Sequence, residues 1–201
     1  IIKCTKSIAI ANKEAIICGW SIIKKELKRN KTQFIPVDSE HFSIHYAIKD
    51  KKIKDLENIY LTASGGPLKN LPLDRFKHIK VGDALKHPNW KMGQKISIDS
   101  ATMMNKVFEI IEAHKIFDIP YKNLKILIHP KSYVHAILKF HDGMIKIIAH
   151  DTNMRIPIHN SLYSKKTKFL KTDKIDLNKL NNFDFSNVDY KKFPLVKIIS
   201  S

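Results

Sequence analysis

The sequence predicts an α+β fold: a mixed, mostly antiparallel sheet with helices on one face. Three observations predict it. Residues 124–129, 133–140 and 144–149 are short apolar runs, and Asp142-Gly143 supplies a tight hairpin turn between the last two. Residues 100–117 carry helical spacing over a length that strands seldom reach. Three earlier apolar runs, 7–11, 33–37 and 59–63, each end abruptly in polar residues or glycine. Open sheets place their sites at such strand ends.

The elements follow in order. The run 7–11 passes at once into Asn12-Lys13-Glu14, and 14–29 then shows helical spacing. Gln33 to Val37 ends in Asp38-Ser39-Glu40-His41, with a helix expected over 41–48. Ile59 to Ala63 is stopped by Ser64-Gly-Gly-Pro67. From 68 to 95 no periodicity is visible, and prolines stand at 67, 72 and 88. A stretch of that kind inside a domain is often a lid. Asp99, Ser100 or Thr102 can cap the helix that follows. After residue 163 the chain is rich in Lys, Asn and Asp and reads as a linker or edge segment. A chain opening on Ile1 and almost at once on a strand suggests a fragment.

The charge is the unusual bulk property: 36 Lys+Arg against 19 Asp+Glu gives +17. Such a field attracts anions. The lysines are scattered rather than gathered with aromatics, which fits an AT-rich coding sequence better than a nucleic-acid surface. Cys4 and Cys18 form neither a CxxC pair nor a metal-ligand spacing, so reduced thiols in a cytosol-like compartment are expected. No apolar run is long enough to span a membrane.

Four constellations carry chemistry. Asp38 and Glu40, at i and i+2, point to one side of an extended chain and offer hard oxygens suited to Mg²⁺ or Mn²⁺. Taken alone, that pattern is also a solvated turn with a helix cap. Asn105 and Glu109 share a helix face, and Lys106 borders it. Asn105 and Lys106, with Ser100, can hold a phosphate; Glu109 can reach a metal beside it. Taken alone, they are also a surface Lys–Glu pair. Ser64-Gly65-Gly66-Pro67 lets backbone N–H groups approach an anion. His87-Pro-Asn-Trp90-Lys-Met-Gly93 puts Trp90 and Met92 on a loop, where they pack onto the core or close over a ligand, and His87 can donate to phosphate. His41 and His45 have the i, i+4 spacing of zinc ligands, but Phe42 stands where the glutamate of that pattern belongs. His129, His135, His141 and His150 read as ordinary sheet and turn residues.

Taken in order, these motifs resemble one family. Ala-Asn-Lys-Glu at 11–14, Pro-Val-Asp-Ser-Glu-His at 36–41, Ser-Gly-Gly-Pro at 64–67 and His-Pro-Asn-Trp-x-Met-Gly at 87–93 are similar to those of the 1-deoxy-D-xylulose 5-phosphate reductoisomerases. Lys-Ile-Ser-x-Asp-Ser-Ala-Thr-Met-Met-Asn-Lys at 95–106 is the most specific, and Ile128-His-Pro130 and Met154-Arg-x-Pro157 continue the match.

The resemblance implies an NADP-dependent oxidoreductase with Mn²⁺ or Mg²⁺. It would isomerise and reduce 1-deoxy-D-xylulose 5-phosphate to 2-C-methyl-D-erythritol 4-phosphate in non-mevalonate isoprenoid synthesis. It implies Asp38, Glu40 and Glu109 as metal ligands. Ser64, His87, Ser100, Asn105 and Lys106 would hold the phosphate, and Lys13, Ser39 and Glu40 would meet the reacting end; Lys13, Glu40 and Glu109 would be catalytic. Asn12, Glu14, Met92, Gly93 and Met154 would meet NADPH. Residues 1–33 would be the last strand and helix of a Rossmann-type NADPH domain, since no glycine-rich fingerprint is present. Residues 34–163 would be the metal- and substrate-binding domain, and 164–201 a linker toward a helical domain. Val107 stands where the family usually has glycine. The implied partners are a small phosphorylated sugar and a second copy of the chain, with neither nucleic acid nor membrane. The implied location is a bacterial cytoplasm or a plastid stroma. The chain alone is expected not to complete a turnover. Two other readings remain open: another metal-dependent sugar-phosphate enzyme, and a basic nucleic-acid-binding module that would give the three carboxylates no task.

Overall fold

A computed structural model describes residues 1–90, 92–163, 168–181 and 183–200. Residue 91 of the expected lid, and 164–167, 182 and 201 of the expected linker, lie outside the described residues. Strand β1 (Ser7–Ile10), helix α1 (Lys13–Asn30) and strand β2 (Gln33–Pro36) form a unit whose two strands pair in parallel. Asn12 starts α1 by accepting a hydrogen bond from the Ala15 N–H at 2.7 Å. Lys31, in the left-handed region, ends it. Ile16, Trp20 and Leu27 line the buried face of α1. Trp20 meets Phe34 edge-on, with ring centroids 5.0 Å apart.

Helix α2 (Ser39–Ala47) leads to strand β3 (Leu56–Ala63). Short helices α3 (Val81–Ala84) and α4 (Gln94–Ala101) precede α5 (Met104–Phe117). Strands β4 (Leu124–Ile128), β5 (Val134–Phe140) and β6 (Ile145–Ala149), then α6 (Arg155–Leu162) and α7 (Leu177–Leu180), follow. The main sheet runs β4-β3-β5-β6. The β3–β4 pair is parallel; the β3–β5 and β5–β6 pairs are antiparallel, so the sheet is mixed and mostly antiparallel. Gly143 turns the β5–β6 hairpin with φ of +84°.

One sheet face packs under α2 and α5. Ile59, Leu61, Leu138 and Phe140 meet Ile44 and Ile110 there. Each such side chain contributes about 1.5–3 kcal/mol by leaving water. The opposite face carries Ile145 and Ile147, which are 54% and 46% exposed.

Two elements differ from the sequence reading. The helix expected over 100–117 is two helices, because Met103 sits at φ 62°. A left-handed methionine costs about 1–2 kcal/mol. It is 2% exposed and packs in a second apolar cluster with Ala63, Val107 and Ile128, and that burial offsets the cost. No glycine or proline marks the break. The stretch 68–95 also holds a 3-10 segment (Leu73–His78), α3 and the start of α4.

The late segment is an edge element for part of its length. Ser186 bridges Ile128 antiparallel, and Val188, Phe193 and Val196 are buried in the second cluster against Val107. Val107 therefore fills space under this segment. Phe169 and Ile175, by contrast, are 98% and 71% exposed.

Candidate active site

The C-terminal end of β2 delivers Asp38, Ser39 and Glu40. Asp38 stands at the N-cap position of α2, yet its side chain makes no cap bond. Its carboxylate is turned into a cluster of charges instead. Helix α5 contributes Asn105, Lys106 and Glu109 from its first turns, and α1 contributes Lys13.

The cluster is dense. The Lys13 ammonium lies 2.8 Å from Asp38 Oδ2 and 3.2 Å from Glu109 Oε1. It also donates to Asn105 Oδ1 at 2.8 Å. Lys106 lies 2.8 Å from Glu40 Oε1 and pairs with Glu109 Oε2. Asn105 Nδ2 donates to Glu109 Oε1 at 2.5 Å. The Ser39 hydroxyl donates to Glu40.

Burial makes these charges interact strongly. It pulls the Lys13 ammonium down, but Asp38 and Glu109 outweigh it and hold Lys13 well above the usual lysine range. Burial also works against Lys106, and Glu109 and Glu40 raise it nonetheless. Burial pushes the Asp38 carboxyl up; Lys13 and His41 hold it well below the usual range. Glu40 is pushed up to about 7, first by burial and then by the charge of Glu109. Negative charge is thus in excess around Glu40. Oxygens of Asp38, Glu40 and Glu109 all lie within 4.8 Å of one another. Three hard oxygen donors with an unneutralised charge fit Mg²⁺ or Mn²⁺.

Beside the carboxylates lies a cavity of about 250 Å³. Lys13, Asp38, Ser39, Glu40, Ser64, His87, Trp90, Met92, Ser100, Asn105, Lys106, Glu109 and Met154, all expected from the sequence, line it. His87 Nδ1 accepts from the Trp90 N–H at 2.9 Å and the Asn89 N–H at 3.2 Å. Its other nitrogen therefore carries the proton and donates to Ser64 Oγ, 3.1 Å away. Ser64 Oγ also accepts from the Gly66 N–H at 3.0 Å. With both lone pairs engaged, the serine hydroxyl has its own proton free to donate. Asn89 ties the loop down by donating to Pro130 O at 2.5 Å and Ser132 Oγ at 2.8 Å.

Three expected residues lie outside the lining. Asn12 caps α1, and Gly93 stands at the N-cap of α4. Glu14 pairs with Lys95 at 2.5 Å, which joins the starts of those two helices. His41 and His45 do not come together as ligands: among the described residues, the possible ligand groups are Asp38–Glu40–Glu109 and Asp38–His41–Glu112.

Sequence reasoning missed Thr62, Ile96, Met103, Ser132 and His135, which also line the cavity. His135 is more than an ordinary sheet residue. It is 2% exposed, meets Trp90 edge-on at 6.2 Å and stacks on His150 at 3.7 Å. No local signal in the sequence sets it apart from the other strand histidines, because its contact with Trp90 is tertiary.

Burial first, and the neighbouring His150 second, hold His135 well below the usual histidine range. The folded protein therefore refuses a proton that the unfolded chain accepts near pH 6.5. Stability linked to this group is complete above that pH and is lost as pH falls below it, at about 1.4 kcal/mol per pH unit. In urea titrations, the His135→Gln protein will accordingly lose less stability than wild type between pH 7.5 and pH 5. Parallel losses in the two proteins would show that His135 is protonated when folded.

Residues 34–117 match the family model of the 1-deoxy-D-xylulose 5-phosphate reductoisomerase C-terminal domain. The chain is 61% identical over 201 residues to the 1-deoxy-D-xylulose 5-phosphate reductoisomerase of Pelagibacter ubique, covering 100% of this chain and 52% of that protein. It is 42% identical over 198 residues to that of Aquifex aeolicus, covering 98% and 51%. Among solved structures, it resembles the Zymomonas mobilis enzyme in complex with NADPH, with TM-score 0.89 and 35% identity over 98% of this chain and 51% of that one. A second, a complex with NADPH, fosmidomycin and magnesium, has TM-score 0.88 and 34% identity, covering 98% and 51%. The chain spans about half the length of the curated relatives it matches.

Proposed function

Starting from the chain's place in the 1-deoxy-D-xylulose 5-phosphate reductoisomerase family, we propose that it builds the metal- and substrate-binding part of such an enzyme. The enzyme would convert 1-deoxy-D-xylulose 5-phosphate to 2-C-methyl-D-erythritol 4-phosphate with NADPH and Mg²⁺ or Mn²⁺. The observation that carries the reading is the single cavity in which three clustered carboxylates meet Ser64, Ser100, Asn105 and Lys106.

Asp38, Glu40 and Glu109 would hold the metal, which when bound supplies a Lewis acid for the carbonyl and hydroxyl oxygens of the substrate. Asn12, Glu14, Met92, Gly93 and Met154 would meet NADPH, which supplies the hydride. The chain's own groups do the rest. Lys106, Asn105 and the hydroxyls of Ser64 and Ser100 donate to the phosphate. His87 steers the Ser64 proton by donating to its oxygen. The phosphate is remote from the reacting carbons, so these contacts supply positioning. Lys13 and Ser39 orient the reacting end. Trp90 and Met92 close the cavity and exclude water.

Residues 34–163 carry most of this site, and Lys13 reaches in from the unit before it. The uncovered sheet face around Ile145 and Ile147 suits a second copy of the chain. Among the described residues no helix is long and apolar enough to cross a membrane. A bacterial cytoplasm or plastid stroma fits the proposed reaction.

The test is calorimetric titration of 1-deoxy-D-xylulose 5-phosphate into the folded chain, with and without Mn²⁺. Metal-dependent binding is the expected result. Salt-sensitive binding of RNA or DNA instead, with none of the sugar phosphate, would favour the basic-module reading.

A further inference from the structure

The lid and the turn between β4 and β5 meet at a serine that the proposed chemistry does not use. Ser132 lines the cavity and is 7% exposed. Its turn is fixed in place. The His129 N–H donates to Ala63 O at 2.7 Å, beside Ser64, and the Ser132 N–H closes the turn on His129 O at 3.0 Å. Behind it, Ile128 and Ser186 exchange backbone hydrogen bonds of 2.8 and 3.0 Å. From the lid, Asn89 Nδ2 lies 2.5 Å from Pro130 O and 2.8 Å from Ser132 Oγ. A carbonyl oxygen only accepts, so the group facing Pro130 is the amide NH₂, and its second N–H is the one aimed at Ser132. Ser132 Oγ is thus an acceptor toward Asn89, and its own proton has no acceptor among the described residues.

The backbone at Ser132 is also unusual. Its φ is 52°, in the left-handed region. Lys31 and Asp118 share that conformation because they end helices, and Met103 stands between α4 and α5. Ser132 ends no helix. Glycine adopts this conformation without strain, so the hydroxyl is held here against a backbone cost.

We propose that Ser132 is a further binding residue of the cavity: its hydroxyl donates to an oxygen of the phosphorylated sugar, and Asn89 positions it. The inference rests on the substrate reading above. The lid turn 87–90 treats two hydroxyls alike. Through His87 it engages the oxygen of Ser64, and through Asn89 it engages the oxygen of Ser132. Each serine is left with a proton to donate into the cavity that both line. The Asn89 N–H also bonds His87 Nδ1 at 3.2 Å, so one lid residue supports both arrangements. A donor oriented in this way is in place before the ligand arrives, and less ordering remains to be done on binding.

The test compares Ser132→Ala with Ser132→Gly in calorimetric titrations of 1-deoxy-D-xylulose 5-phosphate with Mn²⁺ present, beside thermal melts. Both variants lose the same hydroxyl, but at φ 52° the glycine is the less strained and should melt higher than the alanine. Each should bind the sugar phosphate about 10-fold more weakly than wild type, the scale of one hydrogen bond. A loss shared by two variants of different stability belongs to the hydroxyl and not to the fold. The same titrations with inorganic phosphate locate the oxygen: a matching loss puts it on the phosphate, and an unchanged affinity puts it on the sugar. Asn89→Asp presents an acceptor that captures the Ser132 proton. It should therefore weaken binding more in the wild-type background than in Ser132→Ala, where there is no proton to capture. Wild-type affinity in Ser132→Gly, or affinity that simply tracks melting temperature, would overturn the assignment. An equal cost of Asn89→Asp in both backgrounds would overturn the part given to Asn89. No binding of the sugar phosphate by wild type would instead bring down the substrate reading, and this inference with it.

Discussion

Replacing Glu109 by glutamine will weaken Mn²⁺ binding at least ~100-fold, beyond what residues that merely orient a ligand cost. Glu109 is the hub of the charge cluster. One oxygen accepts from Lys13 at 3.2 Å and Asn105 at 2.5 Å, and the other meets Lys106. The amide keeps one acceptor but aims an NH₂ group at an ammonium. It also removes one of the three clustered carboxylates. Fold stability will fall too, but by less than the ~3–5 kcal/mol of a broken buried pair. Asp38 still faces Lys13, and Glu40 still faces Lys106. A Mn²⁺ titration beside a thermal melt separates the two effects. If Glu109→Gln binds Mn²⁺ as wild type does, Glu109 is no ligand.

Gly66→Ala will be the costliest of the glycine substitutions, at about 2–3 kcal/mol. Gly66 has φ of +66°, which an alanine tolerates poorly. Its Cβ would also stand 2.7 Å from Ser100 O and 3.1 Å from Ala101 Cα. Both obstacles are backbone, so the loop after β3 or the end of α4 has to move. Those two segments carry Ser64 and Ser100, and phosphate affinity will drop with stability. Gly143→Ala is the control. It shares a positive φ of +84° but has nothing within 4 Å of the added carbon, so it reports the backbone cost alone. Equal denaturation midpoints for the two variants would mean that the close approach at Gly66 is unimportant.

Much of the sheet was legible because β5 and β6 are joined by Asp142-Gly143, a local signal, and because each strand is short and apolar. The split at Met103 was not legible, since a left-handed methionine is held by tertiary packing with Ala63 and Ile128. Local sequence at Ser-Ala-Thr-Met-Met reads as continuous helix. The burial of Val188, Phe193 and Val196 was hidden for the same reason: apolar residues scattered through a Lys/Asn-rich tract show no period. In the candidate site, residues inside rare motifs were legible. His135 and Glu112 were not, because a histidine on a strand and a glutamate on a helix are ordinary until their neighbours are known.

Lys13 reaches Asn105 and Glu109 across 92 and 96 residues of chain, and Lys106 reaches Glu40 across 66. None of these contacts can form until long loops have closed, and loop closure is paid in entropy before any contact rewards it. The charge cluster is therefore a property of the tertiary structure and not of any one helix. A ligand that binds the finished cluster therefore stabilises only the completed fold, and its affinity is drawn from the same free energy that keeps the chain folded. The site is in this sense a latch on the folding reaction as well as a place for chemistry.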